Sequence, residues 1–196
     1  MTAERPRFTA AELDAYRDTT IPDLVAPGLR LLFVGINPGL WTAATRTPFA
    51  HPGNRFYPAL FAAGIIPTLP DFARGFDDAD RAAFTGAGLG IANLVRRATL
   101  SADELTADEL RAGAERLAGE VAGWAPAVVA VVGITAYRTA FRRPRARTGR
   151  QSEDLAGAGL WVVPNPSGLN THNSVADLAR IYAEPARAAG VLADPE

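Results

Sequence analysis

The sequence predicts a single α/β domain with a mainly parallel sheet and helices on both faces. Three observations carry this. Apolar runs of four to six residues recur along the chain, each bounded by Gly or Pro and too short for a buried helix. Capped, amphipathic segments lie between them. Each run empties into a loop rich in Gly, Pro and Asn, and in such folds ligands bind beyond the carboxyl ends of the strands.

The elements follow in order. Thr9-Ala10-Ala11-Glu12 is a capping box opening a short helix to about Arg17. Leu31-Leu32-Phe33-Val34 is a buried strand ended by Gly35, and Asn37 to about Gly53 reads as loop. Arg55 to Ala63 places Phe56, Leu60 and Ala63 on one helical side, and Asp78 to Phe84 is a weaker helix. Gly90 to Val95 reads as a short strand. Thr106-Ala107-Asp108-Glu109 is a second capping box, opening a long helix with Leu110, Ala114, Leu117 and Val121 on its apolar stripe. Pro126 ends it; Ala127 to Val132 is the next strand, stopped by Gly133, and a helix from about Thr135 to Phe141 follows. Leu160-Trp161-Val162-Val163 is a strand cut off by Pro164, and Ser174 caps a final helix to about Ala189.

Composition narrows the chemistry. The 196 residues fit one domain, and a 48% hydrophobic content suffices for a core. Formal net charge is −1, so any affinity for a polyanion must come from a local patch. There is no Cys, which excludes thiolate nucleophiles, disulfides, Cys-ligated zinc and iron–sulfur clusters. His51 and His172 are the only histidines, too few for a multi-histidine metal site. All 20 basic residues are Arg, which rules out a Schiff-base lysine and a P-loop lysine. The first residues, Met1 to Pro6, lack a signal-peptide core, and no apolar run is long enough to span a bilayer; a cytoplasmic protein is expected.

Two loops stand out. In Gly35-Ile36-Asn37-Pro38-Gly39-Leu40, Pro38 holds Asn37 extended and aims its side chain past the strand end. The loop is neither a dinucleotide fingerprint nor a Walker loop, and it also reads as ordinary turn chemistry. Asn165-Pro166-Ser167-Gly168-Leu169-Asn170 repeats the strand-then-Asn-Pro device, with Leu169 either folding back onto the domain or serving as a wedge between bases. Between them, Phe49 is either a stacking platform for a base or a core anchor of its loop. His51 is either a general base, for which no carboxylate partner is visible, or a loop-bracing or phosphate-contacting histidine. Arg142, Arg143, Arg145, Arg147 and Arg150 are the best phosphate-facing patch, joined by Arg55, Arg96 and Arg97; the run also reads as a solvated loop.

Taken together, four blocks resemble the mismatch-specific uracil-DNA glycosylases, the branch that includes thymine-DNA glycosylase. They are residues 35–39, Phe49-Ala50-His51-Pro52-Gly53-Asn54-Arg55-Phe56, Gly90 to Val95, and residues 165–170. The resemblance runs from about Leu31 to the final helix. It implies a three-layer α/β/α sandwich, with residues 1–28 an N-terminal helical extension and 29–196 the glycosylase domain. It implies a monomeric, monofunctional enzyme that needs no cofactor or metal. Such an enzyme flips uracil, or a related modified pyrimidine, from duplex DNA opposite guanine and hydrolyses the N-glycosidic bond. A catalytically silent mismatch binder of the same fold is the alternative.

By the same resemblance Asn37 is the catalytic residue that positions water, Phe49 stacks on the flipped base, and Leu169 fills the gap. Gly168 and Asn170 face the unpaired guanine, and Ser167 contacts a phosphate. The Ile36 amide and Asn165 are donor candidates for the departing anion. Asn93 reads the edge of uracil, or else satisfies backbone at a strand end. More powerful relatives carry Asp where Asn37 stands and His where Asn165 stands, which implies slower chemistry here. They also carry Tyr where Gly39 stands, so the resemblance implies a pocket open to 5-substituted pyrimidines.

Overall fold

A computed structural model describes residues 7–168 and 172–194. It contains α1 (Ala10–Asp14), β1 (Leu31–Gly35), α2 (Leu40–Thr45), α3 (Phe56–Ala62), α4 (Asp78–Gly86) and β2 (Leu89–Asn93). A single 3₁₀ turn (Ala102–Glu104) leads into α5 (Ala107–Trp124), β3 (Val128–Val132), α6 (Ile134–Ala140), β4 (Gly149–Leu155), β5 (Ala158–Val163) and α7 (Val175–Ala188). The expected capping boxes at Thr9–Glu12 and Thr106–Glu109 form, and Ser174 with Asp177 makes another. The acidic pair Asp77 and Asp80 caps α4 in the same way.

The sheet order is β2-β1-β3-β5-β4, parallel throughout except for β4 against β5. Strands β1, β2 and β3 are buried along their whole length. Their alternating side chains split into two cores, as the period of two demands. Leu31, Phe33, Ile91, Val128 and Ala130 face Phe56, Tyr57, Leu60, Leu178 and Tyr182 of α3 and α7. Leu32, Val34, Ala92, Val129 and Val131 face Leu110, Leu117, Val121 and Tyr137 of α5 and α6. This is the three-layer α/β/α sandwich that was expected.

Two segments depart from the sequence reading. The stretch from Asn37 to Gly53 is not all loop, because Leu40–Thr45 forms a helix whose Leu40 and Ala43 pack on Ile21 and Ala98. The arginine run does not end in a loop. Gly149–Leu155 is an edge strand joined to β5 by Ala156 and Gly157, both at positive φ (49° and 89°), as a tight hairpin requires. Further along the other edge, Thr20 and Leu24 bridge to Arg97 and Ile91.

The parallel strands send the loops after Gly35, Asn93, Val132 and Val163 to one end of the sheet. β4, being antiparallel, starts at that end, with Gly149 opposite Val162.

Candidate active site

A cavity of about 190 Å³ opens at this end, smaller than the roughly 300–1,000 Å³ of sites for drug-sized ligands. The first loop supplies Ile36, Asn37 and Gly39, the second Asn165, β2 its last residue Asn93, and the segment between them Phe49 and His51. The structure thus brings together every base-facing residue expected from the sequence. Among the described residues no Asp, Glu or Arg lines the cavity, and His51 is the only titratable one that does.

Asn37 is held by its nitrogen. Nδ2 donates to the Pro38 carbonyl (3.1 Å), the Arg97 carbonyl (3.1 Å) and Thr99 Oγ1 (2.7 Å). Two of these groups can only accept, and Thr99 gives its own proton to the Ser101 carbonyl (2.8 Å). The amide can therefore sit only one way round. Oδ1 receives no hydrogen bond from any described residue.

The scaffold behind this is rigid. Thr99 N donates to the Pro38 carbonyl, and Val95 N to that of Ile36 (3.1 and 2.9 Å). The Arg97 side chain is locked by Glu109 (2.6 Å) and Asp18 (3.0 Å). Arg97 and the Thr106 cap hold the Glu109 carboxyl down to about 2. Thr99 was not singled out from the sequence, since one threonine in a polar connection gives no signal of its own.

Phe49 anchors its loop to the core. One face stacks on Phe56 (centroids 4.2 Å apart, planes 25° apart), tying it to the core, and it also lines the cavity. It adopts φ 55°, uncommon for a bulky residue, in a loop pinned by the Tyr57 hydroxyl on the Pro48 carbonyl (2.8 Å). Gly35 lies beneath: a Cβ there would come 2.7 Å from Asn93 Oδ1 and 3.2 Å from the Phe49 ring. Only glycine leaves those two side chains room.

Asn93 is 8% exposed and its side-chain amide makes no hydrogen bond with any described residue. It does not satisfy nearby backbone; Arg116 of α5 does that, donating to the carbonyls of Asn93 (2.7 Å) and Leu94 (3.0 Å). A nearly buried amide with no protein partner calls for a ligand or water.

In the second loop, Asn165 Oδ1 accepts from Ser167 N (3.0 Å), an Asx turn. Gly168 lies against the Gly53 carbonyl, where a Cβ would stand 2.8 Å away. Leu169 and Asn170 fall outside the described residues. Arg55 clamps this loop: its N–H donates to the Pro166 carbonyl (3.0 Å), Nη2 to that of Ser167 (2.7 Å), and Nη1 to that of Asn173. His51 Nδ1 accepts from Gly53 N (3.1 Å), which is the bracing role.

The cationic patch is smaller than expected. Arg96 is paired with Asp23 and Glu120, Arg97 with Glu109 and Asp18, and Arg55 is committed to carbonyls. Arg143 and Arg150 pair with Glu153 and Asp154, acids that lie across the β4 segment. Arg142, Arg145 and Arg147 are exposed and form no ion pair with a described residue.

The arrangement is a small cavity with an aromatic wall, an Asn93 amide without a hydrogen-bond partner among the described residues, and an Asn37 amide tied by its nitrogen. The family model of the Uracil DNA glycosylase superfamily matches residues 22–184. That match spans most of the chain and all of the cavity. The chain therefore belongs to the uracil-DNA glycosylase superfamily, DNA glycosylases that hydrolyse the bond between base and sugar in base excision repair.

Proposed function

We propose that the protein is a monofunctional, mismatch-directed glycosylase that removes uracil opposite guanine from duplex DNA. The observation that carries this reading is the locked Asn37 amide, whose nitrogen is tied to three acceptors beside a cavity that no carboxylate lines among the described residues. Such a site has no strong base. It can orient water and stabilise charge, which suits a bond that breaks with most of its charge already separated.

The steps follow from the geometry. The extruded base enters the cavity and stacks on the free face of Phe49. The Asn93 amide offers one donor and one acceptor, matching uracil N3–H and O4. The C1′–N1 bond breaks and its electron pair leaves with the base. The Ile36 backbone N–H and Asn165 are the donors we assign to that anion. Asn37 Oδ1 accepts a hydrogen from a water molecule and aims its oxygen at C1′. The water oxygen bonds to C1′ and gives up a proton to solvent, the uracil anion takes a proton up from solvent, and the products are free uracil and an abasic sugar.

Substrate breadth comes from Gly39. A Cβ built there meets nothing within 4 Å, and on this reading the glycine leaves room for the 5-methyl of thymine. Selection against normal pairs then falls to the ease of extruding a mismatched base.

The test is incubation with a duplex carrying one G·U pair, followed by alkaline cleavage. We expect strand scission at the uracil, loss of at least about a hundredfold in rate for Asn37→Ala, and retained binding. Binding of the G·U duplex by the wild-type protein without scission identifies a silent mismatch binder instead.

A further inference from the structure

Leu100 is the most exposed large apolar residue described, at 71%, and it lines the mouth of the cavity. Phe61 and Leu69, the other exposed large apolar residues, do not. A leucine left in water on a loose loop would carry little meaning, but this tip is stiff. Before it, Thr99 N donates to the Pro38 carbonyl (3.1 Å) and Thr99 Oγ1 to the Ser101 carbonyl (2.8 Å). After it, Ser101 N donates to Glu104 Oε1 (2.9 Å), and Glu104 is itself paired with Arg17.

A duplex approaching this mouth offers an apolar side chain few partners. Phosphates and sugar edges are polar. The exception is the face of a neighbouring base, bared when its stacking partner leaves the helix. Thr99 also ties down the Asn37 amide, so the leucine and the water-aiming oxygen are held in one fixed frame.

We propose that Leu100 is a wedge that presses against the base stack beside the extruded nucleotide and keeps the gap open. The proposal rests on the glycosylase reading for its substrate. It differs from the role expected of Leu169, which belongs to the other loop.

The test compares wild type, Leu100→Ala and Leu100→Met in two arms. In the first, single-turnover excision is measured on uracil in a G·U duplex and in a single strand. The duplex-to-single-strand rate ratio falls about tenfold in Leu100→Ala and is largely restored in Leu100→Met, because a single strand has no stack to open. In the second, 2-aminopurine placed beside the uracil brightens on unstacking. Wild type brightens it on binding, and Leu100→Ala does so at least twofold less. An unchanged ratio, or equal losses on both substrates with full brightening, overturns the wedge. If wild type excises from neither substrate, the glycosylase reading fails and the second arm alone decides. Equal brightening by wild type and Leu100→Ala, or none by wild type, then overturns the wedge.

Discussion

Thr99 Oγ1 accepts a hydrogen bond from Asn37 Nδ2 at 2.7 Å while giving its own proton to the Ser101 carbonyl. That hydroxyl joins the Pro38 and Arg97 carbonyls in fixing the orientation of the Asn37 amide. Replacing it with the isosteric Thr99→Val keeps the volume and removes the acceptor. One lost neutral hydrogen bond is worth about 1 kcal/mol, and Asn37 keeps two carbonyl acceptors. We expect single-turnover uracil excision to fall about fivefold, with Thr99→Ser close to wild type. Equal rates for Val and Ser would show that the two carbonyls suffice.

Gly39 gives a second prediction. It lies at the N-cap of α2 with φ −76°, a value open to any residue, and its missing side chain would point into open space. Gly39→Tyr should therefore fold normally and narrow the cavity. We expect thymine excision from G·T pairs to fall at least about tenfold more than uracil excision from G·U pairs, the scale on which a pocket discriminates one methyl group. The check is the ratio of the two single-turnover rates with an unchanged melting temperature.

What the sequence revealed, and what it hid, has a physical pattern. β1, β3 and β5 were legible as dense apolar runs, and α5 and α1 as capping boxes, because burial and capping leave local marks. β4 left none. Gly149 to Asp154 is polar because an edge strand must be, and its pairing exists only once the hairpin at Ala156 and Gly157 brings it to β5. α2 begins at a glycine with no side-chain cap, directly after Asn-Pro-Gly, so its opening read as turn. In the site, Asn37, Phe49, Asn93 and Asn165 were visible beside strand ends and distinctive loops. Thr99 acts through contacts 62 residues away in sequence, which no local pattern encodes. Arg55, Arg96 and Arg97 looked like phosphate contacts because the sequence shows their charge and not the acids and carbonyls that the fold sets against it.

Arg55 carries the third prediction. Its backbone and guanidinium together grip both arms of the second Asn-Pro loop, at Pro166, Ser167 and Asn173. Arg55→Ala keeps the backbone bond to Pro166 but leaves the Ser167 and Asn173 carbonyls without the guanidinium, and lets the loop widen. Charge-assisted hydrogen bonds contribute about 1.5–3 kcal/mol each, and water replaces part of that in a half-buried setting. We expect a melting temperature lower by about 4–8 °C, corresponding to about 2 kcal/mol. Affinity for G·U duplex should fall as well. Arg55→Lys should recover little of either, since a point-like ammonium does not reproduce the guanidinium fork across the Ser167 and Asn173 carbonyls.

Glu109 contributes to the acid limb. Its carboxyl is lowered to about 2, first by the hydrogen bond from Arg97 and then by the Thr106 backbone and hydroxyl. A carboxyl lowered on folding stabilises the native state above its unfolded value, near 4.5, and that stabilisation drains away as pH falls toward about 2. The loss should reach the site, because the Arg97 carbonyl holds Asn37. We expect the wild-type melting temperature to drop between pH 4.5 and 2 with a slope that is shallower in Glu109→Gln. That variant should already be less stable at pH 7, and its excision rate there should be reduced. Thermal melts across the acid range check the first point, and single-turnover rates at neutral pH check the second. Parallel acid limbs in the two proteins would place the titrating group elsewhere than at this pair.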